Sequence, residues 1–308
     1  MFFSERGDQP HPFCCHLACP ADGKGVKTVA SFCGTLCCAL VLFFGVIAAV
    51  AAEASPLGAP NPALLRSAYG ADETFRYDVS WSGGIKIGEL RLRISRTAGD
   101  QDSFEIHAQV TDYGAFRFFY PVDDTFVTQV QGEERLPVKY EVDQKEGRSY
   151  KAHRLTLYDQ ETGFVRYRKN DEPEKQYAVA GRVHNEFSSF FFTRVLPFEP
   201  GASVIVPTFA DDKRHEVVVR AREWTYFDET LLGPVNVVEV LPRMTFKGLY
   251  DKSGDTVIWF TDDACRVPVR IRSKILIGSL TAELVSYHGL SCGRRWDLDK
   301  KVLKVNGD

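Results

Sequence analysis

Beyond residue 52 the sequence holds five histidines, His107, His153, His184, His215 and His288. None stands in an H-E-x-x-H pattern or in any close His/Cys ligand spacing, so no metal site is expected. His184 immediately precedes Asn185, at the start of a segment unlike its surroundings, and joined to an acid and a hydroxyl it could serve a hydrolase as base. His107 falls on the polar side of an alternating run, and His153 lies among Arg148, Lys151 and Arg154; both read as surface positions. Adjacent acids at Asp123-Asp124, Asp211-Asp212 and Asp262-Asp263 could do acid/base work or hold Ca²⁺. Each pair adjoins a predicted strand end, where Asp-Asp is ordinary turn chemistry. Ser188-Ser189 lies inside a predicted helix without a G-x-S-x-G elbow, and neither a P-loop nor a dinucleotide glycine fingerprint occurs. These absences predict neither catalytic residues nor a cofactor.

Two other groups could recognise a partner. Tyr113–Tyr120 (YGAFRFFY) and the segment around Phe187, Phe190 and Phe191 are dense in aromatics. A core accounts for most of them, but a curved sheet could offer Phe116, Phe118, Phe187, Phe190 and Phe191 to a lipid or polypeptide. Arg148, Lys151, Arg154, Arg166, Arg168 and Lys169 form a basic run, read as a solvated sheet face, with anionic lipid headgroups as the alternative contact.

The elements that must position these residues are mainly strands. Phe75, Tyr77, Val79 and Trp81 alternate with polar residues, Gly83-Gly84 turns the chain, and Leu90, Leu92 and Ile94 return on one face. Phe104–Val110 repeats the pattern. Further strands are predicted at 125–131, 138–144, 149–158, 163–169, 215–224, 235–241, 256–261, 267–275 and 279–287. Asn185–Val195 (NEFSSFFFTRV) differs: it is apolar at helical intervals, opens on a capping asparagine and precedes Pro197. If Ile277-Gly278 is a two-residue turn, Ile271 faces Leu284 and Arg272 faces Glu283 in the last hairpin.

Eight cysteines suggest a disulfide or metal framework until their positions are read: Cys14, Cys15, Cys19, Cys33, Cys37 and Cys38 precede residue 39, leaving Cys265 and Cys292. Lys24 and Lys27, the uncharged run Val29–Ala52 and the ending Ala49-Val50-Ala51 form a secretory signal peptide, with a retained inner-membrane anchor as the alternative. Translation starting near Val26 would account for the unusual residues before it. An exported chain could pair Cys265 with Cys292; two thiols are the alternative. The net charge of −3 argues against a protein held to nucleic acid or to an anionic membrane mainly by its overall charge.

The segments YDVSWSGGIKIGELRL (Tyr77–Leu92), FYPVDD (Phe119–Asp124), NEFSSFFFTR, IWFTDDACRVPVRI (Ile258–Ile271) and IGSLTAEL (Ile277–Leu284), in this order, resemble the bacterial exported family of domain of unknown function 3108. The resemblance implies an envelope protein with a curved antiparallel sheet and carries over no site residues. The sequence therefore predicts a signal or anchor at 1–52, a linker at 53–72, a β-rich domain at 73–290 and a tail at 291–308. The domain is expected to be one curved antiparallel sheet or open barrel with helix Asn185–Val195 against it. The expected role is a periplasmic carrier for an apolar envelope component, with an envelope-assembly scaffold as the alternative and membrane contact only peripheral or through the N-terminal segment.

Overall fold

A computed structural model describes residues 56–299, apart from 70–71, 83, 101, 115, 211, 246–255, 276–277 and 292–293. The expected signal segment 1–52 lies outside the described residues. The chain from residue 54 onward forms one compact unit.

Alternating apolar residues build a meander of antiparallel strands: β1 (Glu73–Trp81), β2 (Ile85–Arg96), β3 (Ser103–Asp112), β4 (Asp123–Gln131), β5 (Leu136–Glu146), β6 (Tyr150–Asp159), β7 (Phe164–Lys169) and β8 (Lys175–Ala178). A second meander holds β9 (Ser203–Ala210), β10 (Lys213–Phe227), β11 (Val235–Thr245), β12 (Thr256–Thr261), β13 (Pro268–Lys274) and β14 (Ser279–Ser291), with β15 (Arg294–Asp299) paired to β14 within the expected tail. Pairing of β1 with β14 joins the two into one open sheet, ordered β8 to β1 and then β14 to β9. Short helices α1 (Pro62–Ala68) and α2 (Phe116–Phe119) accompany the longer α3 (Glu186–Thr193). The mainly β architecture with one packed helix is the expected one.

The sheet curls until its edges nearly meet. Tyr177 of β8 and Phe209 of β9 bring their rings to 5.5 Å, and His184 forms a single parallel bridge to Thr208. Side chains span this seam in place of a strand ladder. The β9 edge is further covered by Leu57, bridged to Ile205, which removes an edge open to foreign strands.

Helix α3 lies across the concave side. Asn185 caps it: its side chain accepts from the backbone N–H groups of Phe187 and Ser188, and the Ser188 hydroxyl in turn accepts from the Asn185 N–H. Phe191 and Phe192 are buried beneath the helix; Phe191 sits against Tyr69 and Phe75, and Phe187 against Phe126. Within the stretch expected as a linker, α1 leads to Tyr69, buried edge-on against Phe104.

Under α3 a charge is sealed in. The guanidinium of Arg194, the helix C-cap, donates to both carboxylate oxygens of Glu73 at 2.6 and 3.1 Å and to the carbonyls of Cys265 and Arg266, each at 2.9 Å. Tyr287 donates its hydroxyl to the same carboxylate. Burial opposes the charge of Arg194, but Glu73 together with Tyr287 and Tyr77 holds the guanidinium above its ordinary range.

Three local expectations are corrected. The last hairpin ends its ladder at Lys274 and Ser279, with Ile275 N–H bonded to the Gly278 carbonyl and Gly278 at φ 84°; Ile277 of the expected turn lies outside the described residues. The ladder is thereby shifted two positions, pairing Ile271 with Ala282 and Arg270 with Glu283; a shift of two keeps every side chain on its face. Asp123 and Asp124 begin β4 instead of forming a turn. The basic run divides: Arg154 bonds to Gln144 on the concave side, whereas Lys151, Arg166 and Arg168 take the alternating positions that face the other way.

Candidate functional site

The concave face has two halves of different character. Near the start of β1, Phe75, Leu92, Ile94, Ile106 and Ala108 are at most 2% exposed, roofed by α3 and α1. Toward the far ends of the same strands the burial alternation lapses. Val79, Leu90, Val110 and, on β13, Ile271 occupy the same face but are only partly buried. On the helix Phe187 and Phe190 are also partly buried; Phe187 packs on Phe126 and Tyr140, and Phe190 on Phe191 and Phe260. The result is a recess with an apolar floor.

One wall of the recess is polar. Asp124 lies directly opposite Val110 across the β3–β4 ladder and is fully buried. It accepts from Lys145 N–H at 2.9 Å and from the Gln144 amide at 3.3 Å; that amide also donates to Glu146 at 3.1 Å. Tyr120 donates to Glu146 at 3.0 Å, and Arg154 donates to the Gln144 carbonyl oxygen. Burial, joined by the charge of Glu146, pushes Asp124 up to about 6 against the pull of its hydrogen bonds. At the helix N-terminus, where a carboxylate is favoured by the dipole, stands Glu186. Tyr140 and Tyr158 are raised by burial first and by Glu186 second, which keeps both phenols neutral donors. Its carboxylates are suited to a hydrogen-bond donor or cation, while the two phenols already serve Glu186 and Asn185.

The residues singled out from sequence are scattered. Phe187 and Phe190 are partly buried against the core, and Phe191 is fully sealed within it. Phe118 sits in α2 at the rim, 78% exposed; Phe116 is in the same helix. His184 is buried against Phe192, with its Nδ1 3.3 Å from the Ser188 hydroxyl, and burial lowers it to about 3. That hydroxyl already serves the helix cap, so the pair is structural and offers no hydrolytic base. Cys265 is buried, whereas Cys292 lies outside the described residues. Asp124, Gln144, Glu146 and Arg154 were not expected as a unit. Their signal was the spacing of Gln144 and Glu146, two apart on one strand face.

No curated protein matches the chain. Among solved structures it is similar to a beta-barrel-like protein of domain of unknown function DUF1849 from Brucella abortus. That likeness has a TM-score of 0.50 at 9% identity and spans 74% of this chain and 98% of the other, so it concerns the fold alone. The model of the family described as protein of unknown function (DUF3108) matches residues 76–285, and the chain belongs to that family.

Proposed function

We propose that the protein is a binding or carrier protein that holds the apolar chain of an envelope component in the recess, its polar end against Asp124, Gln144 and Glu146. The observation that carries this is the lapse of burial on adjacent strands: Val79, Leu90, Val110 and Ile271 keep the core-facing parity without the cover that α3 gives their neighbours. Apolar surface held half-exposed in a concavity is favourable to fill, at roughly 25 cal/mol per Å² removed from water. An apolar fluorescent probe such as N-phenylnaphthylamine tests it: saturable binding, weakened at least about tenfold by Leu90→Trp with an unchanged melting temperature, is expected. Absence of saturable binding, together with no co-purifying mass in native mass spectrometry, sinks the reading. A scaffold acting through sheet edges has less support, since β9 is covered and β8 is only four residues long and opens on Lys175.

The reading includes export by the segment 1–52 to the periplasm, or anchoring at the inner membrane if that segment is retained. It also includes a Cys265–Cys292 disulfide, stabilising by about 3 kcal/mol. Alkylation of the denatured exported protein without reductant checks the pair: no label at either position is expected, and two labels would remove it.

A further inference from the structure

The turns at the open end of the sheet belong to neighbouring strands and are tied together. The β1–β2 turn holds the β13–β14 loop through Ser82 N–H to Ser279 C=O at 2.9 Å and Ser279 N–H to the Ser82 hydroxyl at 3.0 Å. Tyr113, leading out of β3, donates its N–H to Ile87 at 2.8 Å. The β5–β6 turn donates from Gly147 N–H to Pro121 at 2.8 Å, in the β3–β4 connection. At Gly147, with φ 61°, an added Cβ would meet the Tyr120 ring at 3.2 Å, so loop and turn lie in contact. Eight consecutive strands of the sheet, β13, β14 and β1 to β6, thus end in one connected rim.

This rim is apolar and basic together. Ile85, Tyr113, Phe118, Phe119, Tyr120 and Ile275 are exposed, Phe118 and Phe119 to 78% and 80%. Folding gains nothing from two adjacent phenylalanines held in water on a helical turn. Around them stand Lys86, Arg117, Lys145, Arg148 and Lys151, with Lys86 over the Tyr113 ring at 4.5 Å. Three of these cations pair with neighbouring acids: Lys86 with Asp78 at 2.8 Å, Arg117 with Asp112 at 3.1 Å and Lys145 with Asp123 at 3.7 Å. The acids Asp124 and Glu146 at this end are buried, whereas Arg148 and Lys151 are exposed and add positive charge to the accessible surface. Aromatics flanked by cations match the two layers of an anionic membrane surface: rings enter the headgroup–acyl boundary while Lys and Arg meet the phosphates.

We propose that this rim docks the protein on an anionic lipid bilayer, through insertion of Phe118 and Phe119. The docked orientation turns the open half of the concave face toward the membrane. The proposal stands without any ligand in the recess. The test uses the form beginning near residue 53, which retains the whole compact unit from residue 54. Its flotation is measured with vesicles of phosphatidylethanolamine and phosphatidylglycerol in roughly a 3:1 ratio. Wild type is expected to float with the vesicles, and Phe118→Ser/Phe119→Ser to bind at least about tenfold more weakly. Arg148→Glu/Lys151→Glu is expected to bind more weakly at about 0.05 M salt and to differ little from wild type at about 0.5 M. The indole added by Phe118→Trp should be quenched by lipids brominated near the headgroup. Equal flotation of wild type and the double serine variant, no flotation of wild type, or no added quenching in Phe118→Trp overturns it. The probe assay for the recess is read without vesicles, so either idea can fail alone.

Discussion

Leu92 and Leu90 stand two residues apart on the same face of β2, yet Leu92 is 2% exposed beneath the helices and Leu90 is only half covered. The same contrast runs across β1 and β3, where Phe75 and Ile106 are sealed while Val79 and Val110 are not. The polar groups divide in the same way. In the closed half Arg194 and Glu73 form a pair whose donors and acceptors are met by Tyr287, two carbonyls and each other. In the open half Asp124 and Glu146 share one amide, and the charge of each opposes that of the other. A satisfied ion pair fixes one packing, whereas two carboxyl groups that share one amide make the packing sensitive to protonation.

The largest expected effect tests the closed half. Arg194→Met strands the Glu73 carboxylate in the core and should lower stability by about 3–5 kcal/mol, read as a fall in the urea midpoint. Adding Glu73→Met should recover part of that loss; strict additivity would mean that the two residues are not coupled. The leucine pair sharpens the contrast. Leu92→Ala should cost about 2–5 kcal/mol and Leu90→Ala at most about half as much, with only the second changing probe affinity. Equal costs would erase the distinction between the halves.

The pH dependence comes next. Asp124 titrates near 6 in the folded protein against an ordinary 3.8. Between these values the folded state holds more protons than the unfolded chain, so this residue's contribution makes stability fall as pH rises through the window. Asp124→Asn should therefore raise the melting temperature at pH 8, by on the order of 1–2 kcal/mol in stability, and change it little at pH 4. A gain equal at both pH values would assign the effect to packing. The smallest effect is at the rim: Phe118→Ser should leave stability within about 0.5 kcal/mol of wild type, measured by the same melts.

The fold was legible where local chemistry is explicit. Asn185, the apolar spacing that follows it and Pro197 mark α3, and the alternation of Phe75 to Trp81 marks β1. Strand β9 was missed because Pro207 interrupts it; a proline is tolerated there since its carbonyl, not an N–H, meets His184. Strands β8 and β15 were missed because they are short and polar. The candidate site was half legible. Its phenylalanines were visible as an apolar cluster, but which of them is sealed depends on where the helix stops. Asp124 looked like a turn because its burial comes from strands that lie beyond it in sequence. The Arg194–Glu73 pair spans 121 residues and leaves no local pattern at all.

The junction of the two meanders bears on how the chain acquires its structure. Strands β2 to β8 each pair with the strand just before them in sequence, as do β10 to β14. Strand β1 is different, because its second neighbour is β14 and Ser80 bonds to Thr281 across 201 residues. During synthesis the first meander can therefore form early, but one side of β1 keeps its backbone groups unpaired until the last strands emerge. Closing so long a loop is slow, and an open edge is the part of a nascent chain most prone to pair with a stranger. Completion of the sheet is thus a late event governed by the C-terminal hairpin, and truncation before Ser279 would remove the partner of the first strand instead of merely shortening the last.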